Sequence, residues 1–315
     1  MSYIIESIKY VVDNAKYVNI NEEAIFEFCE GYKHEDIELD LSLPFPKKKF
    51  SKEENLAFHF ILESIGFSTW GEPKWFIVYK NKEVKRGTSA LIATLYRAID
   101  EGYDILNSKF LSNLTLEQVK HIFRGNVEIP LLKERHLALV ELGTVISKRF
   151  DNSFLRFVEK SNYDVKSLLN ALVSNFSIYK DESKYDGEKV YFYKLAQLLI
   201  NDIILLFPDK KFTNTEILTG LADYKIPYIL HSFGILEYRK ELTQKLEKKE
   251  ELVHNSEEEI EIRAAMVMVV NLMYFILKNR FPDITLSQLN NYLWLNANSV
   301  SKNALPHHRT RSVYY

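Results

Sequence analysis

The sequence predicts a mainly α protein, a helical body with one small β-hairpin. Three observations carry that expectation. Helix-start signals recur along the chain, apolar residues between them fall at helical spacing, and glycine is scarce. Five segments open with the Ser/Thr-x-x-Glu/Gln capping box: Ser51 with Glu54, Thr115 with Gln118, Thr213 with Glu216, Ser256 with Glu259, and Thr285 with Gln288. In such a box the hydroxyl and the side chain three residues on each accept the other's backbone N–H, which satisfies two orphan donors of the first turn. Only 10 of 315 residues are glycine, about 3% against a usual ~7%. No GxGxxG or GxxxxGK[ST] occurs, which disfavours dinucleotide and P-loop sites.

Taken in order, the opening MSYIIESIKYVVDNAK places Glu6 and Lys9 inside an apolar helical pattern. It lacks the charged start, apolar run and small-residue cleavage site of a signal peptide, so the mature chain is expected to start here. The stretch LDLSLPFPKKKF, residues 39–50, carries two prolines and a lysine run and reads as an extended connector. One body is expected over residues 1–315, with a helical arm and connector in 1–50 and the main helical body in 51–315, ending in a tail.

The aromatic and β-branched run Trp75 to Tyr79, the turn Asn81-Lys82 and a second run to Arg86 predict the hairpin. Helical spacing follows at Leu91, Leu95, Ala98 and Ile99, and again at Leu132, His136, Leu139 and Val140. Phe192, Leu195, Ala196, Leu199, Ile203 and Leu206 form one apolar helix face, with Lys194, Gln197 and Asn201 on a separate polar stripe. The mixed charges from Lys245 to Glu259 read as a helix end, a turn and the next helix start. From Glu257 to about Asn279 the pattern is apolar nearly all round beyond its charged first turn, so this helix should be central. Roughly a dozen helices result.

Charge narrows the partners. Forty-one Lys plus Arg against 43 Asp plus Glu leave a net charge of −2, so no global positive field exists to hold a nucleic acid polymer or an anionic membrane. The longest apolar stretch, Ala264 to Leu277, has 14 residues broken by Asn271, short of the ~20 that a bilayer demands. The single cysteine, Cys29, cannot form an internal disulfide, and a reducing, cytoplasmic setting is expected. The eight histidines include no HExxH, and no GxSxG elbow is present, so neither a metal centre nor a Ser-His-Asp hydrolase is expected.

Two polar clusters stand apart from this background. The chain ends Pro306-His307-His308-Arg309-Thr310-Arg311-Ser312-Val313-Tyr314-Tyr315. Planar guanidiniums beside imidazoles and hydroxyls suit a phosphate dianion, although a frayed basic tail is the common fate of such a terminus. The second cluster, Leu221-Ala222-Asp223-Tyr224-Lys225-Ile226-Pro227, sets a carboxylate at a helix junction, where an ordinary cap is the usual reading. Lys194 is by default a solvated lysine. Trp70, Trp75, Phe192 and Tyr193 are by default core, with stacking on a base as the functional alternative.

Several segments, in shared order, resemble the queuosine salvage protein family. They are Phe60-Ile61-Leu62-Glu63-Ser64-Ile65, Pro73-Lys74-Trp75, the run GTSALIATLYRAIDEG at residues 87–102, His121-Ile122-Phe123-Arg124 and Glu128-Ile129-Pro130-Leu131-Leu132. Phe150-Asp151-Asn152-Ser153-Phe154-Leu155, Tyr179-Lys180-Asp181-Glu182, Phe192-Tyr193-Lys194-Leu195-Ala196-Gln197, Ala222 to Pro227 and His308 to Tyr315 continue it. Residues 64–70 depart from the family pattern, His307 stands where an aromatic is common, and His231 where an apolar residue is usual.

The resemblance implies a DNA-glycosylase-like helical body that hydrolyses queuosine 5′-phosphate to queuine and ribose 5-phosphate, without a cofactor or metal. On it, Asp223 is the carboxylate that stabilises the ribosyl cation and directs water. Lys194 is the donor or charge partner of the departing base, with Asp223 or phosphate as its other possible contacts. Phe192, Tyr224 and Trp75 flank the base or ribose, and Asp181 binds the cationic amine or diol arm or else caps a helix. His308, Arg309 and Arg311 clamp the phosphate, and Tyr315 completes the substrate-binding set. The partner implied is a small nucleotide. Two competing readings are a glycosylase acting on polynucleotide, which requires a basic stripe, and a noncatalytic helical interaction or nucleotide-binding protein.

Overall fold

Four of the five hydroxyl-led starts open α-helices in the computed structural model, which describes residues 2–33, 43–85, 87–301 and 304–315. Ser51, Thr115 and Thr285 form reciprocal boxes, whereas Ser256 caps Glu259 N–H while the Glu259 side chain is drawn elsewhere. Thr213 opens only a 3-10 turn, Thr215–Ile217. Its backbone is already committed: Thr213 N–H donates to Tyr163 O at 3.1 Å, and Thr213 O accepts from Val165 N–H at 3.0 Å.

The chain runs α1 (Tyr3–Asp13), β1 (Val18–Ile20), α2 (Glu22–Gly31), α3 (Lys52–Ser64), β2 (Ile77–Tyr79), β3 (Lys82–Val84), α4 (Gly87–Asp100), α5 (Ser108–Ser112), α6 (Leu116–Ile122), α7 (Leu132–Arg149), α8 (Phe154–Glu159) and α9 (Val165–Asn175). It continues through β4 (Glu182–Tyr185), β5 (Glu188–Tyr191), α10 (Lys194–Leu206), α11 (Lys225–Ser232), β6 (Leu236–Tyr238), α12 (Lys240–Glu247), α13 (Glu257–Arg280) and α14 (Leu286–Asn296). The protein is thus mainly α, with small antiparallel strand pairs.

The expected hairpin is β2 with β3, in register Ile77 to Val84 and Tyr79 to Lys82. Its turn is Lys80-Asn81, both at positive φ (49° and 60°), one residue earlier than the sequence reading placed it. Two further pairs were not expected. β4 pairs with β5 around Asp186-Gly187, also at positive φ (46° and 87°), the left-handed geometry for which Asp-Gly is the standard hairpin signal. β1 pairs with β6, Val18 opposite Tyr238, a match across more than two hundred residues with no local signal.

Two compact units are woven from interleaved segments. The first comprises Met1–Asp40, Asp181–Lys194 and Glu216–Ser312; the second comprises Leu41–Lys180, Leu195–Thr215 and Val313–Tyr315. In the first unit α13 is central, as its all-round apolar pattern predicts, and Ile260, Ile262, Ala264, Met266, Val269, Val270 and Met273 are all buried. By length and composition α13 would suffice to cross a bilayer, with a window of mean hydropathy 1.8, but 72% of that window is buried in protein. The segment expected as an arm lies within this unit: Ile4, Ile8 and Val11 of α1 are fully buried, and β1 supplies a strand to β6. The connector falls partly at 39–42, outside the described residues.

The second unit packs α3, α4 and α7 with the β2–β3 hairpin. Mid-helix Gly143 lets α5 lie on α7; a Cβ there would sit 2.6 Å from Leu111 Cβ and 2.6 Å from Ser108 O. Arg135 is fully buried and donates to the carbonyls of Pro130, Ile65, Phe67 and Ser68, and burial pulls its pKa down to about 9. The loop so held presents Ser68 N–H to Tyr315 O at 2.9 Å, which fixes the chain end.

In the first unit one carboxylate ties the amino-terminal segment to the central helix. Glu261, 1% exposed, accepts from the N–H groups of Lys16 (2.9 Å), Tyr17 (2.6 Å) and Val18 (3.1 Å) and from Tyr185 Oη (2.8 Å). Truncation would leave the three backbone N–H donors without this acceptor, while Tyr185 Oη keeps Asn14 O at 2.9 Å, and each buried orphan costs about 1–3 kcal/mol. Glu261→Ala is therefore expected to destabilise the fold by at least about 3 kcal/mol. Urea unfolding checks this; a midpoint unchanged from the parent would contradict the anchoring role.

Candidate active site

The β4–β5 hairpin delivers the chain to α10 through only two residues, Phe192 and Tyr193. Asp181, just before β4, controls that passage. Its carbonyl accepts Phe192 N–H (3.0 Å) and Tyr193 N–H (3.3 Å), and its Oδ2 accepts Lys194 N–H at 3.3 Å. Tyr193 adopts a left-handed conformation (φ 50°), a strain on the order of 1–2 kcal/mol for a residue with a Cβ. It is held there by burial and by its hydroxyl, which donates to Glu182 Oε1 at 2.9 Å.

Asp181 is itself 1% exposed, and both of its oxygens meet the guanidinium of Arg263: Nη1 to Oδ1 at 3.1 Å and Nη2 to Oδ2 at 2.6 Å. Arg263 rises from α13 fully buried, reaches Glu259 Oε1 one turn back at 3.4 Å and lies 4.0 Å over the Phe192 ring. This forked, stacked arrangement uses the planarity that distinguishes arginine from lysine. Asp181, expected at the substrate's arm or at a helix cap, thus spends its carboxylate on Arg263 and on the first N–H of α10. Phe192, expected beside the base, is 1% exposed and covers Arg263.

Lys194 starts α10 and points inward. Its Nζ lies 3.9 Å from Asp223 Oδ2, with the two side chains 7% and 9% exposed. The separation exceeds hydrogen-bond length, so the pair is held by charge, in surroundings where charge is weakly screened. Asp223 sits in the turn before α11; its N–H donates to Leu221 O at 2.6 Å and its Oδ1 accepts Lys225 N–H at 2.6 Å. One carboxylate oxygen is therefore used locally, while the other faces the ammonium. Neither the solvated-lysine reading nor the simple-cap reading describes this pair.

Residues 304–312 of the tail belong to the same unit. Leu252 N–H donates to Arg309 O at 2.8 Å, and Arg311 Nε approaches Glu251 Oε1 at 3.6 Å. Burial lowers the Arg311 pKa against the opposing pull of Glu251. The His307 ring lies 5.0 Å from that of Tyr224, and its Nδ1–H donates to His308 O at 2.8 Å. Burial lowers the pKa of His307, with Arg309 and Lys225 adding to the fall and Asp223 opposing it. His307 thus joins Tyr224 in the surroundings of Asp223.

His308 was expected in the phosphate clamp. It is 2% exposed, and burial drives its pKa down to about 3, so it is neutral and the positive charge of this stretch lies on Arg309 and Arg311. Trp75 is also placed differently: 1% exposed in the second unit, its Nε1–H donates to Phe123 O at 3.2 Å. Gly125 packs against the indole, where a Cβ would come within 2.6 Å of Nε1. Tyr315, 2% exposed, lies in the second unit with its carbonyl on Ser68. The structure thus gathers Asp181, Phe192, Lys194, Asp223, Tyr224, His308, Arg309 and Arg311 in the first unit.

Sequence reasoning missed Arg263 and Glu259. Their signal was an i, i+4 acid–base pair inside an otherwise apolar helix, where charge must be paired to be tolerated. Among the described residues, no group of three or more His, Cys, Asp or Glu side chains is arranged to hold a metal ion.

Comparison with known proteins gives this geometry a context. The family model described as "Queuosine salvage protein" matches residues 46–315. A Sphaerobacter thermophilus protein named queuosine 5′-phosphate N-glycosylase/hydrolase is 32% identical over 319 positions, covering 99% of this chain and 97% of its own. A Mus musculus protein of the same name is 32% identical over 331 positions, covering 98% of each. A Schizosaccharomyces pombe protein, also so named, is 27% identical over 292 positions, covering 82% and 83%.

His308 makes the fold acid-sensitive. Its folded pKa lies below the unfolded value, so the unfolded chain binds the proton more readily and stability rises with pH across this window. The contribution is complete above about pH 6.5 and drains as pH falls toward about 3. Between pH 7 and pH 5 roughly 2 kcal/mol should be lost through this group. Urea unfolding at the two pH values should show that slope, reduced in His308→Gln; an equal slope in both proteins would assign the acid sensitivity to other groups.

Proposed function

Because the chain belongs to the queuosine salvage protein family, we propose that it hydrolyses queuosine 5′-phosphate to queuine and ribose 5-phosphate, with Asp223 and Lys194 as its catalytic residues. The observation that carries this reading is the buried Lys194–Asp223 pair, 3.9 Å apart beside Tyr224 and the basic tail. The full-length similarity to proteins named for this activity supports it.

Breaking a glycosidic bond builds positive charge on the ribose, so a carboxylate near C1′ stabilises the transition state. Asp223 supplies that charge through the oxygen not held by Lys225 N–H. As the C1′–N9 bond breaks, its electron pair leaves with the base. Water bonds to C1′ and gives up one proton, which Asp223 accepts and which then passes to the departing base, restoring the carboxylate. A 7-deazapurine has no N7 to protonate, so the negative charge growing on the base needs another partner. The Lys194 ammonium, 3.9 Å from Asp223 and so too far for a closed hydrogen bond, fills that part.

Tyr224 with His307 forms a wall for the ribose or base, and Arg309 with Arg311 draws in the 5′-phosphate. A net charge of −2 favours such a mononucleotide over a polymer, for which contacts along many phosphates are needed. Water attack on a ribosyl cation calls for no cofactor.

Purified protein should release queuine from queuosine 5′-phosphate. Asp223→Asn should lose about 10²–10³-fold or more in kcat while remaining folded. Arg309→Gln should raise KM for the phosphate ester with little effect on the unphosphorylated nucleoside. Chromatographic detection of queuine checks all three; full activity in Asp223→Asn would remove the carboxylate from the mechanism.

A further inference from the structure

Lys194 owes its place to a residue far along the chain that carries no reacting atom. The passage from β5 to α10 takes two residues, one of them in a left-handed conformation, so its direction is not set by helix or strand propensity. It is set by Asp181, which receives the N–H groups of residues 192, 193 and 194. Asp181 is in turn oriented at both oxygens by Arg263, at 3.1 and 2.6 Å. Arg263 cannot turn freely, because Glu259 meets its Nη1 and Phe192 lies against its face at 4.0 Å.

We propose that the Arg263–Asp181 pair is the positioning device of the active site: it fixes the first residue of α10 so that the Lys194 ammonium stands at its working distance from Asp223. This rests on the catalytic reading of Lys194 and goes beyond it. Arg263, Asp181 and Glu259 act through Lys194 without touching the reacting atoms. The chemistry explains why an arginine is needed. A fork that engages both carboxylate oxygens fixes the plane of Asp181, and that plane aims Oδ2 at the Lys194 N–H. A lysine at 263 keeps the charge and releases the plane. Since misplacement by about 1 Å can cost on the order of 10²-fold in rate, the loss should appear in kcat.

The test uses the full chain with Arg263→Lys and Asp181→Asn, each alone and combined with Lys194→Met. Steady-state turnover of queuosine 5′-phosphate and thermal midpoint are measured on each, and the acylation rate of Lys194 by N-acetoxysuccinimide, followed by peptide mass spectrometry, on the parent and the variants that retain Lys194. In the parent background kcat should fall about 10- to 100-fold with KM nearly unchanged. In the Lys194→Met background the same substitution should cause little further loss, because residues that act through one group are not additive. Lys194 should acylate several-fold faster once its helix start is released.

Equal fractional losses in the two backgrounds would overturn the proposal, as would an unchanged acylation rate in a folded variant. Should Arg263→Lys fail to fold, Asp181→Asn, which keeps an acceptor for the Lys194 N–H, carries the comparison. Absence of turnover in the parent protein would count against the hydrolase reading alone, and the acylation rates would still decide whether Arg263 and Asp181 position Lys194.

Discussion

A guanidinium sealed inside a helical core has to be neutralised where it stands, because an uncompensated charge there costs several kcal/mol. Arg263 meets that constraint with Asp181 and Glu259, all three at 1% exposure or less. The geometry at the β4–β5 hairpin and the start of α10 follows from satisfying this one group. Asp181 must lie at the mouth of the β4–β5 hairpin, so the hairpin docks on α13. Phe192 must lie over the guanidinium, so the strand ends there. Lys194 must then begin α10 facing Asp223. Replacing such a cluster by apolar residues can leave stability intact in other proteins; here the cluster also hands a defined direction to the residue that follows it.

The same economy governs the carboxylate across the site. Asp223 spends one oxygen on Lys225 N–H and thereby fixes its own rotamer, leaving the other toward Lys194. Tyr224 packs on a neutral His307, and the tail beyond it carries a neutral His308 and two arginines, Arg311 lying beside Glu251. Burial keeps both imidazoles neutral, so the two histidines shape the walls while arginine carries the positive charge. An anionic group facing a cation across 3.9 Å suits a reaction that separates a positive sugar from a negative base.

Much of this was legible in the sequence, for reasons that differ from part to part. Capping boxes are local chemistry, and they located four helix starts because nothing distant competes for a side chain three residues away. Thr213 shows the limit, since a tertiary bridge to residues 163–165 claimed its backbone first. The central helix was visible because apolar residues all round can only be buried. The Asp186-Gly187 hairpin left a readable signal that was passed over. The β1–β6 pairing left none, because three-residue strands carry no pattern. Asp223 and Lys194 were found through family resemblance; their spacing alone favoured a cap and a solvated lysine. Arg263 showed its i, i+4 relation to Glu259, but its bidentate partner Asp181, distant in sequence, is revealed only when the chain is folded.

The two units have a further consequence through their connectivity. Each is assembled from three separated stretches, and α10 itself passes from one unit to the other after its first residue. A protein so rich in helix would ordinarily fold fast, since helical contacts are close in sequence. Here the first unit must close a loop of 140 residues, 41–180, before its core can be completed, and such closure is paid in chain entropy ahead of any packing gain. The interleaved topology of the first unit therefore sets a closure cost that its helix content would not suggest, and no fragment that ends before residue 216 carries a complete first core.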